Sequence, residues 1–473
     1  MIPDVKLNVQ DGALGLTPSS IDAVMVKLGV SSLGAVNQVL SISQLSDVPA
    51  LLGTGPLAES VATHLALSGA PLLVVPLNAS VAGTLGTVTH VGSGAGTVVA
   101  SGAPLDAYGV LVTLTRPGLP GAAAFTLSLD GGLTTSAETS VPAGGAYPVP
   151  GTGLTLTFAG TFVAGDTYAY TATAPTSTLG DLNAGIDALF ADPRQWSILH
   201  VVGTATAATA AAVAVRMVDA KTRFRYASAL VEARDINAVT DTGSHASWQS
   251  NLLTEWATFA DVRVGVAAGF AQVVSPLTGR QNRVSIAATY LARLAAIAVS
   301  EHPGYVGRGP LPGIVKLFHD EQLAQGLDAA GFTTARTIIG RQGFYITNGR
   351  IMAPAGSDYP YIELRRVMDK ACTISRNAAL EFLNTSVRVD ANGVILDVEA
   401  AAIEGYIEGQ LRSTLIADRD ASNISVTLQR DSNPLSTRSA KLTTRVEPLA
   451  YLSNITEDIG YINPALRTLT AGA

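Results

Sequence analysis

The sequence predicts a multidomain α/β (α+β) protein, and three observations lead to this fold class. Strand-like runs alternate with helical runs on both sides of residues 83–176. Residues 83–176 themselves alternate apolar with Thr or Ser positions between Gly and Pro turns. A long amphipathic helix then dominates the last third of the chain. At 473 residues the chain exceeds one typical core, so two to four domains are expected.

Charged residues are scarce in this chain. They make up 14% of it, whereas hydrophobic residues make up 47%, and an average globular chain is about 25% charged. This composition indicates a surface that is largely buried against other subunits, or a β-rich surface with little Lys and Glu. The net charge of −7 argues against a nucleic-acid-binding protein, which normally carries a basic patch.

The N-terminus "MIPDVKLNVQDG" lacks the basic and apolar regions of a signal peptide. The longest uncharged run of small residues, 201–215, is too short to span a bilayer. The chain is therefore expected to be made and folded in the cytoplasm. Its single cysteine, Cys372, falls on the apolar side of a predicted helix and is interpreted as a buried structural thiol.

Residues 1–20 are predicted to form a strand-like arm, because Val5, Leu7 and Val9 alternate with polar residues. An edge strand of the chain's own sheet and a strand donated to a neighbouring subunit both fit this pattern. Composition does not separate the two.

Residues 21–82 and 177–312 are predicted to form one α/β domain that is split by an insertion. Buried strand runs alternate with helical runs in both segments, which indicates a mainly parallel, doubly wound sheet. The last helix of this domain is expected over residues 283–304. The insertion, residues 83–176, is predicted to be a small β-sandwich or barrel; the family resemblance given below implies that it faces outward.

Residues 313–473 are predicted to form an α+β C-terminal domain. A short strand and a turn precede a helix over residues 361–383, whose apolar residues recur at three- and four-residue steps. A second helix is expected over 397–417. Two alternating strands and a C-terminal arm of residues 450–473 follow.

No catalytic constellation is found. The chain has no Gly-x-Ser-x-Gly elbow and no phosphate-binding Gly-rich loop, and its six histidines form no closely spaced pair, so no catalytic, cofactor or metal residue is predicted. Asp235 and Asp241 are compatible with a carboxylate pair, but a polar loop is the simpler interpretation. Residues 319–321, which read His-Asp-Glu, are interpreted as a solvated helix face.

The C-terminal region reads as a strand with "GR" near its end, the helix "YIELRRVMD", a second helix, a strand pair and the closing "VEPLAYLSNITEDIGYINP". This succession resembles the C-terminal domain of contractile tail sheath proteins, which coat the tubes of contractile phage tails and related bacterial injection machines. The resemblance is best over residues 335–464 and extends weakly over most of the chain. It differs from the family in residues 83–178, whose role is not carried over.

The resemblance implies a structural subunit and not an enzyme. Such a subunit polymerises helically around a tail tube and contracts from a metastable extended state to drive the tube through a target envelope. The implied partners are further copies of the chain, the tail tube protein, and baseplate and tail-terminator proteins, without nucleic acid, membrane insertion or cofactors. The implied location is the host cytoplasm during assembly, and then a virion tail or injection particle.

The resemblance also implies that both arms add a strand to sheets of neighbouring subunits. The matching positions are Val5, Leu7, Val9, Ile455, Ile459 and Tyr461. Basic residues of the first C-terminal helix are candidates for contact with an acidic tube surface, and a solvated or intersubunit-paired face explains them equally well. These residues are Arg365, Arg366, Lys370 and Arg376.

Two alternatives stay open. One is another self-assembling shell, tube or surface-layer protein, which co-assembly around a narrower tube would separate from a sheath. The other is an α/β enzyme with an appended β domain, which requires a pocket with a perturbed acid or base.

Overall fold

The computed structural model describes residues 24–431 and 433–461. The arm predicted around Val5, Leu7 and Val9 therefore lies outside the described residues. The described chain has several sheets and helices, which confirms the mixed α/β class at this coarse level.

Strands outnumber α-helices in the described part of the chain. The strands are Met25–Val30 (β1), Leu40–Ile42 (β2), Leu72–Leu77 (β3), Thr89–Val91 (β4), Thr97–Gly102 (β5), Tyr108–Arg116 (β6), Ala124–Ser128 (β7), Thr139–Ser140 (β8), Ala146–Val149 (β9), Leu154–Ala159 (β10), Thr167–Ala172 (β11), Ile198–Thr204 (β12), Ser228–Glu232 (β13), Val264–Ala267 (β14), Phe270–Val274 (β15), Gln281–Ser285 (β16), Ile314–Leu317 (β17), Ala335–Ile338 (β18), Arg341–Ile346 (β19), Asn423–Leu428 (β20) and Leu442–Glu447 (β21). The α-helices are Val48–Leu52 (α1), Pro56–Ser68 (α2), Leu179–Ala191 (α3), Ala207–Thr222 (α4), His245–Glu255 (α5), Ala287–Ala296 (α6), Ile362–Leu380 (α7), Asp397–Leu411 (α8) and Pro434–Thr437 (α9).

The largest sheet has six strands in the order β14-β13-β12-β1-β3-β2. Neighbouring strands are parallel except at the edge, where β2 runs antiparallel to β3. Every position of β1, β3, β13 and β14 is buried, which explains their continuous apolar runs. Side chains of α3, α4 and α5 share one core with this sheet, and those of α1, α2 and α6 share a second.

The strand order of this sheet reverses between β1 and β12. The chain passes from β1 through α2 to β3 on one side, and later through α3 to β12 on the other side of β1. Helix α2 ends where Gly69 adopts a positive φ of 64°, a conformation that glycine tolerates without the Cβ clash of other residues. Helix α3 begins with a reciprocal capping box between Thr178 and Asp181.

Between β3 and α3 the chain forms two antiparallel sheets, with the orders β5-β10-β9 and β4-β11-β6-β7-β8. Both contribute to one core, in which the ring of Phe158 contacts those of Phe125 and Phe162. Strand β6 alternates buried and less buried positions because its apolar and Thr residues alternate.

The last part of the described chain packs around a core of its own. Helices α7 and α8 pack with the two-stranded β20-β21 sheet around Val367, Ile407, Leu411 and Ile424. Helix α8 is shorter than predicted and continues as a π-helical turn, Arg412–Ile416. The existence of both predicted helices and of the strand pair is confirmed.

The single helix predicted over residues 283–304 is wrong in its bounds. Arg283, Val284 and Ser285 belong to strand β16, which forms a hairpin with β15, and helix α6 covers only Ala287–Ala296. The alanine-rich run hides this boundary, because the residues that begin it also suit a strand. The interpretation of residues 319–321 as a helix face is wrong as well, since they lie in an irregular segment after β17 and His319 and Glu321 are buried.

A lysine is buried at the centre of the large sheet. Lys27 lies on β1, and its Nζ donates a 2.6 Å hydrogen bond to Ser60 Oγ on α2. Burial lowers the pKa of Lys27 to about 7, although Glu232 opposes this effect. An ammonium group in this position is costly, because it has lost most of its hydration.

We expect Lys27→Met to stabilise the chain by about 2 kcal/mol below pH 7, because the cost of burying the charge disappears. Between pH 7 and 10.5 the unfolded wild-type chain binds a proton that the folded chain does not, so wild-type stability rises with pH. A pKa shift of this size corresponds to several kcal/mol, so the stability advantage of the variant should disappear across that range. The free energy of unfolding of each protein is measured by urea titration, with tryptophan fluorescence as the signal.

The matched control is Lys221→Met, since Lys221 is exposed near the end of α4. The free energy of unfolding of this variant should equal that of the wild type at every pH. A Lys27→Met chain that is less stable than wild type by the same amount at every pH would contradict the pKa assigned to Lys27.

Candidate functional site: the C-terminal sheet and arm

The inner edge of the β20-β21 sheet is closed by side chains of α8 and of the turn that follows it. The Glu404 carboxylate accepts from the Leu428 amide at 2.5 Å, and the Glu408 carboxylate accepts from the Val426 amide at 3.4 Å. Arg412 donates to a backbone carbonyl of the same strand. These contacts satisfy backbone groups of β20 that another strand would otherwise pair.

The outer edge of β21 pairs with no other strand in the described part of the chain. Val426 and Thr444 lie directly opposite each other in the antiparallel register. The Val426 amide points toward α8, so this is a non-hydrogen-bonded pair and the Thr444 amide also points away from its partner strand. Strand β21 therefore offers a row of free N–H and C=O groups, which is the usual template for strand addition.

Past β21 the chain has no regular secondary structure up to residue 461, but one side chain anchors it. The hydroxyl of Tyr451 donates a 2.6 Å hydrogen bond to the carbonyl oxygen of Ser300. Burial raises the pKa of Tyr451 well above its usual range, so this hydroxyl keeps its proton. Residues 452–461, which follow this anchor, are the described part of the C-terminal arm.

The C-terminal arm exposes a series of large apolar side chains. Leu452, Ile455 and Ile459 are 84%, 79% and 86% exposed, and Tyr461 is fully exposed. No strand pairing of Ile455, Ile459 or Tyr461 occurs within the described part of this chain. A set of exposed apolar groups at this density is typical of a surface that another chain covers. The strand-exchange role of these residues stays a prediction.

Three of the four basic residues considered for tube contact are not at the surface. Arg365, Arg366 and Lys370 are 4%, 5% and 6% exposed. The expectation of an exposed basic face is therefore wrong for them, because the polar side of α7 packs against the rest of the chain. Arg376 is half-buried, and its guanidinium lies 3.9 Å from the centre of the Phe224 ring.

Buried ion pairs hold α7 to its neighbours. Asp369 accepts from Arg263, which precedes β14, at 3.0 Å and from Arg365 at 2.5 Å. Lys370 Nζ lies 2.8 Å from a carboxylate oxygen of Asp418 and 2.7 Å from one of Asp420. These contacts connect the large sheet, α7 and the turn before β20.

Cys372 lies in the same region of α7. It is half-buried, and burial raises the pKa of its thiol. The raised pKa disfavours the thiolate, so the structure agrees with an unreactive thiol more than with a nucleophile.

Sequence reasoning missed a contact between two histidines. His319 Nδ1 lies 3.1 Å from His245 Nε2, and His319 Nε2 lies 2.9 Å from a carboxylate oxygen of Glu321. No local spacing signals this contact, because the two histidines are 74 residues apart. The described residues contain no group of three or more His, Cys, Asp or Glu side chains placed to hold a metal ion.

The carboxylate pair considered at Asp235 and Asp241 does not form. Asp241 pairs with Arg234 at 2.6 Å, whereas Asp235 pairs with Arg283 at 2.5 Å. The contact with Arg234 holds the pKa of Asp241 far below its usual range. Each carboxylate therefore has its own arginine, as expected for structural groups in a polar loop.

None of the helices in residues 24–431 and 433–461 has the length and apolar character of a membrane-spanning segment.

Solved structures with this fold include sheath components of contractile injection systems. The chain is similar to a chain of the anti-feeding prophage baseplate in the contracted state, with a TM-score of 0.55 and 12% identity over 97% of this chain and 98% of the other. It is similar to the anti-feeding prophage helical sheath in the contracted state, with a TM-score of 0.53 and 11% identity over 98% and 99% of the two chains. It is also similar to the contracted PVC sheath complex of an extracellular contractile injection system, with a TM-score of 0.53 and 12% identity over 97% of each chain.

No curated protein matches the sequence. Family models do match it. The model described as the DUF2586 N-terminal domain matches residues 2–350, and the model of the DUF2586 C-terminal domain matches residues 358–466. Together these matches cover most of the sequence, so the chain belongs to the DUF2586 family.

Proposed function

We propose that this protein is the sheath subunit of a contractile tail or injection particle. It polymerises helically around a tail tube and contracts from a metastable extended state. The observation that carries the proposal is an unpaired outer edge on β21, within the described residues, combined with a C-terminal arm whose apolar side chains are exposed. The likeness of the fold to sheath structures supports it.

The physical basis of assembly is strand addition between copies. An arm from one subunit extends the sheet of the next, so that backbone hydrogen bonds form the connection and alternate side chains fix the register. Ile455, Ile459 and Tyr461 belong to the donated C-terminal segment, and Val5, Leu7 and Val9 belong to the N-terminal one. Because donor and acceptor are different surfaces, the contact is heterologous and generates an open helical polymer.

The same proposal gives each region a role. Residues 21–82 and 177–312 form a split, doubly wound α/β domain, residues 83–176 an inserted β-sandwich that faces outward, and residues 313–473 the sheath domain that faces the tube. The separate core of the β region supports the insertion, and the separate core of α7 and α8 supports a C-terminal unit. Strand β17 pairs with β15, and Phe332 and Ile346 pack in the cores of the large sheet, so the structure favours a boundary nearer α7 than residue 313.

The partners in this proposal are other copies of the chain, the tube protein, and baseplate and terminator proteins. Arg376 remains the one candidate of the four basic residues for tube contact. No catalytic step belongs to the cycle, because the free energy of contraction is stored during assembly. The subunit is made in the host cytoplasm and ends in a virion tail or injection particle.

The first prediction of this proposal concerns assembly. The purified full-length chain should form hollow cylinders in negative-stain electron microscopy, and a chain lacking residues 1–17 should stay soluble and unassembled. Folding of the shortened chain is checked by its thermal unfolding. A small monodisperse oligomer from both chains would contradict strand-linked assembly, and closed shells or flat arrays would favour a different self-assembling protein.

The second prediction concerns the outer edge of β21. Thr444→Pro removes an amide that points away from β20, so the hairpin is kept while an added strand loses a hydrogen bond and meets the proline ring. We expect the protein concentration needed for assembly to rise about tenfold. Sedimentation measures it. Thr444→Val, which keeps the amide, is the control, and equal assembly of the two variants would show that this edge accepts no strand.

A further inference from the structure

A cavity of about 680 Å³ opens beside the large sheet. Its lining includes Val30 at the end of β1 and residues 201–204 at the end of β12. These are the carboxyl ends of the two strands between which the strand order reverses. Parallel α/β sheets bind ligands in the crevice at this position, because the connections leave in opposite directions there. The volume also falls within the usual range of small-molecule sites, about 300–1,000 Å³.

Other parts of the chain form the remaining walls. The β region contributes Asp106 and Tyr108, and the β15-β16 hairpin contributes Phe270, Arg280 and Arg283. The cavity is thus enclosed where three regions of the chain meet, and its lining combines aromatic, hydroxyl and charged side chains.

The positive charges of the lining are already neutralised. Arg280 donates to Asp106 at 2.5 Å, and its guanidinium lies over the Tyr108 ring. Arg283 donates to Asp235 at 2.5 Å. Neither guanidinium is therefore available to balance a further carboxylate fully.

Two other carboxylates of the lining have no arginine within 3.5 Å. Glu232 is buried at the end of β13; its Oε1 lies 2.8 Å from His200 Nε2, and the described residues give this carboxylate no second side-chain hydrogen bond. Glu59 Oε2 is buried and has no hydrogen-bond partner among the described residues, and the nearest Arg280 nitrogen is 4.0 Å from its other oxygen. Burial raises the pKa of Glu59, and the nearby Asp106 adds to this effect, whereas Ser275, Arg280 and Asn282 oppose it.

Above pH 7 the groups behind Glu232 supply little compensating positive charge. Burial lowers the pKa of Lys27 to about 7 and lowers the pKa values of His64 and His200 as well. Both ring nitrogens of His64 are buried without a hydrogen-bond partner in the described chain. Four carboxylates line the cavity and only two guanidinium groups do, so the lining carries an excess of acidic side chains; these residues are Glu59, Asp106, Asp130 and Glu232 against Arg280 and Arg283.

We propose that this cavity binds a small organic cation, whose ammonium groups pair with the carboxylates of Glu59 and Glu232. A flexible aliphatic amine matches the polar and aromatic lining, and its ammonium groups offset the excess of acidic side chains. A bare metal ion is a poorer match, since the described chain offers no group of three or more metal-binding side chains. The proposal is independent of the sheath function.

The test is equilibrium dialysis of the full-length chain against radiolabelled putrescine at low ionic strength. Wild type should bind putrescine saturably, with one site per chain. Glu59→Gln and Glu232→Gln should each weaken binding about tenfold, because each removes one charge-assisted contact. Glu138→Gln removes a half-exposed acid of the β region outside the cavity lining and should leave binding unchanged.

Three results would overturn the proposal. The first is no saturable binding of putrescine, and the second is equal affinity in all three variants, which would indicate a general effect of surface acids. The third is displacement of putrescine by glucose at the same site, which would indicate a site for neutral polyols. Thermal unfolding checks that the variants fold. If Glu232→Gln does not fold, the binding affinity of Glu59→Gln alone decides whether the proposal holds. Dialysis measures putrescine binding whether or not the protein is assembled, so its outcome is independent of the assembly experiments.

Discussion

Backbone hydrogen bonding at the β20-β21 sheet is the constraint that governs the proposed assembly. A two-stranded sheet has two edges, and every buried N–H and C=O on them requires a partner. Glu404 and Glu408 accept from two amides on the β20 edge, which opposes the addition of a strand there. In the proposed assembly the sheet therefore grows at β21, and the exposed C-terminal arm is the kind of segment that such an edge accepts.

The junction around α7 determines what moves with this sheet. Asp369 joins Arg263 to Arg365, and Lys370 joins α7 to Asp418 and Asp420. Removing one partner of a buried ion pair costs about 3–5 kcal/mol, because the other charge stays buried alone. We therefore expect the C-terminal region and the large sheet to move together as one rigid body in a contracting polymer, with change concentrated in the arms.

Much of the fold could be predicted from local pattern. Strands β1 and β3 are short continuous apolar runs, and α7 shows its helical period clearly, so both follow from the sequence alone. The hairpin of β15 and β16 could not be predicted, because its second strand runs into an alanine-rich helix without a turn residue. The free edge of β21 is a property of topology, which periodicity does not report.

The side-chain environments were harder to predict than the elements. Arg365 and Lys370 have the spacing of a solvated helix face, but their partners come from residues 369, 418 and 420, and only tertiary packing brings those acids close enough to permit burial. His245 and His319 meet across 74 residues for the same reason. The cavity near Glu232 requires three regions of the chain, so no single stretch of sequence signals it.

Amide hydrogen exchange, compared between unassembled and assembled protein, tests strand exchange most directly. If copies are joined by added strands, the outer-edge amides of β21, including that of Thr444, and the amides of the C-terminal arm should become strongly protected together on assembly. Equal exchange of both segments in the two states would contradict the proposed mode of assembly, even if cylinders form.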